Sequence, residues 1–230
     1  MESTEPVVRH FQEELGILKE RLLVMAGLAE ERVRASVQTL VNRESDAIER
    51  ILLGDTQINE LHIEVDSRCF QLLALHQPMA VDLRTIVSGV KINSELERVG
   101  DLAVNIAEAT RRYLLHPPVK QLIDIPRMAD LAQSMLRDAL DAYVSLDMAL
   151  ARQVLTVDDT LDVLKDQVFR ELLTYMLQDP LKIEPALELV LISRHLERVG
   201  DHATNIAEEV IFMVSARDVR HHSWEAEAGD

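Results

Sequence analysis

Apolar residues recur every three or four positions along almost the whole chain, and no segment of four to eight residues alternates in the manner of a strand. From Glu5 to about Val41 the apolar series is Phe11, Leu15, Leu18, Leu22, Met25, Leu28, Val33, Val37 and Leu40, and Asn42 to Ser45 breaks it. A second run carries Ile48, Ile51, Leu52, Ile58, Leu61, Val65, Leu72 and Leu75, with Gly54 as a weak point inside it. It stops at His76-Gln77-Pro78, because the residue before proline is pushed out of helical geometry. A third run, from about Met79 to Leu114, holds Leu83, Val87, Val90, Ile92, Leu96, Val99, Ala103 and Ile106. His116-Pro117-Pro118-Val119-Lys120 then ends the third helix near the midpoint of the chain. Beyond it the plan recurs as Ile125 to about Leu155, Val157 to Gln178 and Glu184 to about Ala216, with Asp179-Pro180 in the place of Gln77-Pro78.

Three long amphipathic helices joined by short turns bury their stripes most simply as an antiparallel bundle. The predicted fold is therefore all-α: two tandem antiparallel three-helix bundles, six long helices in total, related by internal duplication. Residues 1–116 form the first unit, 117–122 the linker, and 123–217 the second unit. The polar composition of 218–230 predicts a disordered tail. Duplication is written into the sequence, since ERVGDLAVNIAE at Glu97–Glu108 returns as ERVGDHATNIAE at Glu197–Glu208. Only Leu102/His202 and Val104/Thr204 differ, and the repeated block is mostly polar, which points at chemistry as well as packing.

Few aromatics, with seven glycines and seven prolines in 230 residues, suit a helical protein. A formal charge of −16 argues against a nucleic-acid partner, which needs a basic face, and suits a cation or a basic protein surface. The single Cys69 excludes an internal disulfide and fits a reducing compartment. With no signal-peptide pattern and no apolar run of membrane-spanning length, the chain is expected to be cytoplasmic.

On a helical wheel of about 100° per residue, with Glu97 at zero, Glu108 falls near 20°, Asp101 near 40° and Asn105 near 80°. Ile92, Val99, Ala103 and Ile106 cluster on the opposite side. The second copy places Glu197, Asp201, Asn205 and Glu208 likewise, and Arg98 and Arg198 follow on the next face. A solvated surface is one reading of such a stripe. The other is a cation site, because carboxylates four apart repel one another by a few tenths of a kcal/mol unless something neutralises them.

Counting from the hairpin turns sharpens the second reading. Asp55 is 23 residues before Pro78 and Asp101 is 23 after it, while Asn59 and Glu97 are each 19 away. About Pro180, Asp158 is 22 before and Asp201 is 21 after, and Asp162 is 18 before with Glu197 17 after. Two neighbouring helices in each half are thus expected to offer paired oxygen side chains at one height. Such donors suit Mg²⁺, Mn²⁺ or iron. A competing role for Asp158 and Asp159, and for Asp55 after Gly54, is capping a helix that starts there.

Catalytic signatures are missing: there is no Glu-x-x-His of the di-iron bundles, no H-E-x-x-H, no glycine-rich phosphate loop and no G-x-S-x-G. His202 is expected on the surface, or as an extra ligand. Gly100 and Gly200 suggest a close helix approach or access for ions.

Two copies of E-R-x-G-D-x-x-x-N-I-A-E, each closing a three-helix unit, together with Gln77-Pro78-Met79-Ala80-Val81-Asp82-Leu83-Arg84 at the first turn, resemble the PhoU family of phosphate-signalling regulators. The resemblance implies a cytoplasmic, usually dimeric regulator that represses the phosphate-starvation response. Its implied partners are the ATPase of the phosphate ABC transporter and a phosphate-sensing histidine kinase. It also implies metal ions on E/D-x-x-x-D motifs, which fall here on Glu97/Asp101 and Glu197/Asp201, with Asp158/Asp162 opposite; Asp55/Asn59 departs by an amide. The alternatives are a metal-dependent hydrolase or redox enzyme on a helical bundle, and a purely structural helical repeat.

Overall fold

The computed structural model describes residues 4–53 and 56–217. Its helices are α1 (Thr4–Asn42), α2 (Ser45–Leu53), α3 (Thr56–His76), α4 (Ala80–Tyr113), α5 (Asp124–Ser145), α6 (Met148–Gln178) and α7 (Ile183–Ser215), with a single 3-10 turn at Pro180–Lys182. Each half is a bundle of three rods, and among the described residues there is no strand. Among the described residues the expected second rod is covered by α2 and α3, and the six expected rods are all present. The matching rod of the second half, α6, runs unbroken through Val157. Gly54 and Asp55 lie outside the described residues, as does the expected tail at 218–230.

One boundary differs from the sequence expectation. The break between the fourth and fifth rods lies at Leu146-Asp147, not at Leu155–Val157. Leu146 closes α5 in the left-handed region (φ 59°), and the Asp147 carboxylate accepts from the Ala149 and Leu150 N–H groups to start α6. The apolar series continues across this corner, which hid it. Asp158 and Asp159 therefore sit inside a helix and cap nothing.

The halves share one interior. α1 packs on α4, α4 on α7, α7 on α5 and α5 on α1, closing a ring of four helices, with α2 and α3 outside one half and α6 outside the other. Leu18, Leu22, Met25, Leu96, Val99 and Ile106 of the first repeat join Met135, Leu136, Leu196, Val199 and Ile206 of the second in a single buried cluster. Ile92, Val99, Ala103 and Ile106 are fully buried, so the apolar side of the repeated motif faces this core. No helix among the described residues is long and apolar enough to cross a membrane.

Candidate functional site

The two glycines of the motif set how closely neighbouring helices approach. A Cβ on Gly200 would stand 2.4 Å from Leu161 Cδ2 and 3.4 Å from Asp158 Oδ1, so α6 lies almost on the α7 backbone there. In the first half a Cβ on Gly100 would meet Ile58 Cδ1 at 3.0 Å, the same contact in a looser form. Close approach is thus the reason for these glycines.

That approach gathers the acids of the second half. Asp158 and Asp162 from α6 meet Glu197 and Asp201 from α7, as counting from the turn predicts. Burial, and then the charges of Asp201, Asp162, Asp159 and Glu197, push Asp158 up to about 6. Asp201 is raised as well, by burial and by Glu197 and Asp162, against the opposing pull of His202 and Lys165. The cluster has its own cation. Lys165 Nζ donates to Asp162 Oδ1 at 2.8 Å and to Glu197 Oε1 at 2.9 Å, bridging the two helices. These hydrogen bonds hold the ammonium above the usual lysine range. Among the described residues, no three His, Cys, Asp or Glu side chains are gathered closely enough to hold a metal ion as they stand. The donor chemistry suits a hard cation, and the ammonium stands where such a cation would neutralise the acids.

In the first half Glu97 is half-buried, and Asp101 and Asn59 are exposed, at the level where Ile58 of α3 packs on Gly100. Asp55 lies outside the described residues. His62 follows Asn59 by three residues, as Lys165 follows Asp162, so the first half carries no lysine at that place. Buried Arg32 of α1 donates to the Ile51 carbonyl at 3.0 Å and passes close to Gly100.

The remaining polar residues of the motif do not all join this stripe. Arg98, Asn205 and Glu208 line a separate groove of about 380 Å³ along the α4–α7 seam, together with Lys91, Ser94, Glu95 and Glu209. Arg98 pairs with Glu95 of its own helix at 2.7 Å, and Asn205 donates to Glu95 at 3.0 Å. Asn105 and Glu108 are half-buried on α4, and Glu108 acts on Arg112 through its charge. Arg198 is exposed and adds its charge to the burial that lowers the basicity of His195.

His202 is neither on the surface nor among the acids of α6. It is buried, and its Nδ1 lies 2.6 Å from Glu95 Oε2 across the seam. Other bonds across this seam are Lys91 to Glu209 at 2.7 Å, Arg112 to Glu188 at 2.9 Å, and Arg84 to the Met213 carbonyl at 2.9 Å. Their residue numbers sum to nearly the same value, so α4 and α7 run antiparallel. Repeat spacing carries no signal for pairs between repeats, which is why these were missed. Lys165 was within reach of the turn-counting argument, since it lies 15 residues before Pro180 and Glu197 lies 17 after.

Comparison with known proteins agrees with the duplicated plan. The family model for the PhoU domain matches twice, over residues 22–110 and 125–210. A phosphate-specific transport system accessory protein PhoU homolog from Caulobacter vibrioides is 38% identical over 217 residues, covering 94% of each chain. The homolog of the same description from Pseudomonas aeruginosa is 36% identical over 219 residues, 95% of this chain and 90% of the relative. The crystal structure of PhoU from Pseudomonas aeruginosa superposes with a TM-score of 0.85, covering 90% of this chain and 100% of that one. The phosphate transport system regulatory protein PhoU from Streptococcus pneumoniae, 27% identical, gives 0.83 over 91% and 99%. With two matched domains filling most of its length and relatives alike from end to end, the chain belongs to the PhoU family.

Proposed function

We propose that this chain is a negative regulator of the phosphate-starvation response, a non-catalytic adaptor working as a cytoplasmic homodimer. In this reading it couples the ATPase of the phosphate ABC transporter to a phosphate-sensing histidine kinase. The observation that carries the reading is the end-to-end match to accessory proteins of the phosphate-specific transport system. A dense acidic cluster on neighbouring helical faces suits a binding surface.

The same reading assigns a hard cation, Mg²⁺, Mn²⁺ or iron, to the acidic faces. Glu197, Asp201, Asp158 and Asp162 would hold it in the second half, and Glu97 and Asp101 in the first. Bound there, the ion would supply charge neutralisation between neighbouring helices. Support comes from oxygen donors of two helices at one level, where burial first and the neighbouring carboxylates second push Asp158 up to about 6.

Three measurements test this. A tagged chain expressed in its own host should retain the transporter ATPase and the kinase on purification, and its deletion should derepress a phosphate-starvation reporter in high phosphate. Binding to the native state should raise the melting temperature with Mn²⁺, Mg²⁺ or iron. A variant with Glu97, Asp101, Glu197 and Asp201 all changed to alanine should lose that response. Unchanged melting of the parent with all three ions would remove the metal part, and full repression in the deletion strain would remove the regulatory part.

A further inference from the structure

One side of α7 stays uncovered. Leu187, Leu191, Arg194 and Arg198 are all exposed, and their spacing of four, three and four residues sets them on one line about 16 Å long. Leu187 and Leu191 show 50% and 38% of their surface, so one end of the line is apolar and the other cationic. The cations are surplus. Burial first, and then the charges of Arg198, Arg194 and Arg112, lower the basicity of His195, so three guanidinium groups converge on one imidazole. Arg112 has a carboxylate, Glu188 at 2.9 Å. Arg194 and Arg198 have no ion-pair or hydrogen-bond partner among the described residues. The equivalent line of the first repeat is Val87, Lys91, Ser94 and Arg98, and it neutralises itself: Lys91 pairs with Glu209 and Arg98 with Glu95, both at 2.7 Å. Glu95 corresponds to His195 and Glu209 to Ala109, so the second repeat lacks both of those acids and adds a cation at Arg194.

We propose that this line on α7 is the docking site of an acidic amphipathic segment of a partner protein. Apolar side chains of the segment lie on Leu187 and Leu191, and its carboxylates pair with Arg194 and Arg198. Guanidinium groups match carboxylates in two-point pairs. The leucines call for an apolar side that a free anion does not have, and two cations are too few to hold nucleic acid. The line spans about three helical turns, the reach of a segment of about 12 residues. A formal charge of −16 does not forbid an acidic partner, because charges farther off than about 10 Å are screened at 0.1 M salt and the near arginines decide. The proposal rests on the adaptor reading for its protein partner and involves neither the acidic cluster nor a metal.

The test is fluorescence anisotropy with the full chain and three labelled peptides of about 18 residues. The first is an amphipathic helix former with leucine along one side and glutamate beside it. The second carries the same residues scrambled, and the third has lysine in place of glutamate. The first should bind the parent most tightly, and its binding should weaken as salt rises. Arg194→Glu with Arg198→Glu, and separately Leu187→Ser with Leu191→Ser, should each weaken it on the order of tenfold. Arg127→Glu, at an exposed arginine of α5, should bind as the parent does. All these positions are exposed, so the variants should melt with the parent, which separates lost binding from a lost fold. Equal binding of the scrambled or the lysine peptide, or indifference to both double variants, overturns the proposal. So does a parent that self-associates through Leu187 and Leu191, which gives the line to a second copy, or one that binds phosphatidylglycerol vesicles and not the first peptide. None of these results touches the adaptor reading, which stands or falls on the reporter in the deletion strain.

Discussion

His202 of α7 lies 2.6 Å from Glu95 of α4, so a buried acid–imidazole pair fastens the two repeats to each other. Burial alone would raise the Glu95 carboxyl, but hydrogen bonds from His202 and Asn205 and the charges of His202 and Arg98 outweigh it and hold the group below its ordinary 4.5. In a double-mutant cycle of Glu95→Gln and His202→Leu we expect a coupling of about 1–3 kcal/mol. The folded-state pKa is depressed, so the Glu95 contribution is complete above the unfolded value and fades as pH falls through the lowered one. Chemical denaturation from pH 7 down to 3 should show the parent losing its advantage over Glu95→Gln only below about pH 4.5. An advantage that stayed constant over that range would rule out the assigned charge state.

The motif glycines are expected to differ in their tolerance of a methyl group. At Gly200 the new Cβ meets Leu161, itself fully buried, at 2.4 Å, and the helix-propensity gain does not make up for the displacement. Gly200→Ala should cost about 1–2 kcal/mol. Gly100→Ala, with 3.0 Å to the tip of Ile58, should stay within about 0.5 kcal/mol of the parent. Urea midpoints decide, and equal midpoints would contradict the packing difference.

Asp158 carries the opposite pH signature to Glu95. Its folded pKa is raised to about 6 from 3.8, so the folded state holds the proton more tightly and the ionised form opposes folding. That cost is absent at pH values below 3.8, grows as pH rises, and is complete above about 6. Discounted for solvent exposure, Asp158→Asn should stabilise the metal-free protein by on the order of 1 kcal/mol at pH 7.5, with the gain shrinking as pH falls toward 4. Melting curves across that range provide the check, and a gain independent of pH would point to some other cause.

Cys69 should be chemically silent in the folded chain. Burial first, and the Asp66 charge second, push its thiol up to about 12, and only the thiolate attacks alkylating reagents. Labelling by iodoacetamide at pH 8 should be at least about a hundredfold slower in native buffer than in denaturant. Comparable rates would mean that the thiol is open to solvent.

Much of the fold is written in local spacing. The series Leu15, Leu18, Leu22, Met25 and the doubled ERVGD block each name their helix and its buried side, because a helix repeats its faces every three to four residues. The corner at Leu146-Asp147 escaped because no proline or glycine marks it, and its apolar neighbours continue the same period on both sides. Turn counting placed Asp158 and Asp162 beside Asp201 and Glu197, since a short hairpin fixes the register of its two arms. Nothing of that kind ties α4 to α7. Their contact depends on how one bundle lies against the other, so nothing in the spacing of Glu95, Lys91 and Glu209 signals their pairing across the seam.

The seam also makes the two halves unlike partners. Its matched pairs draw unlike residues from equivalent positions, since Glu95 corresponds to His195 and His202 to Leu102, while Lys91 corresponds to Leu191 and Glu209 to Ala109. Two identical first halves would set Glu95 against leucine twice, and two identical second halves would oppose histidine to histidine. Acid meets base here because the two copies carry different residues at these equivalent positions. A first half set against another first half would forgo the Glu95–His202 and Lys91–Glu209 contacts, so each half is complementary to the other rather than to itself.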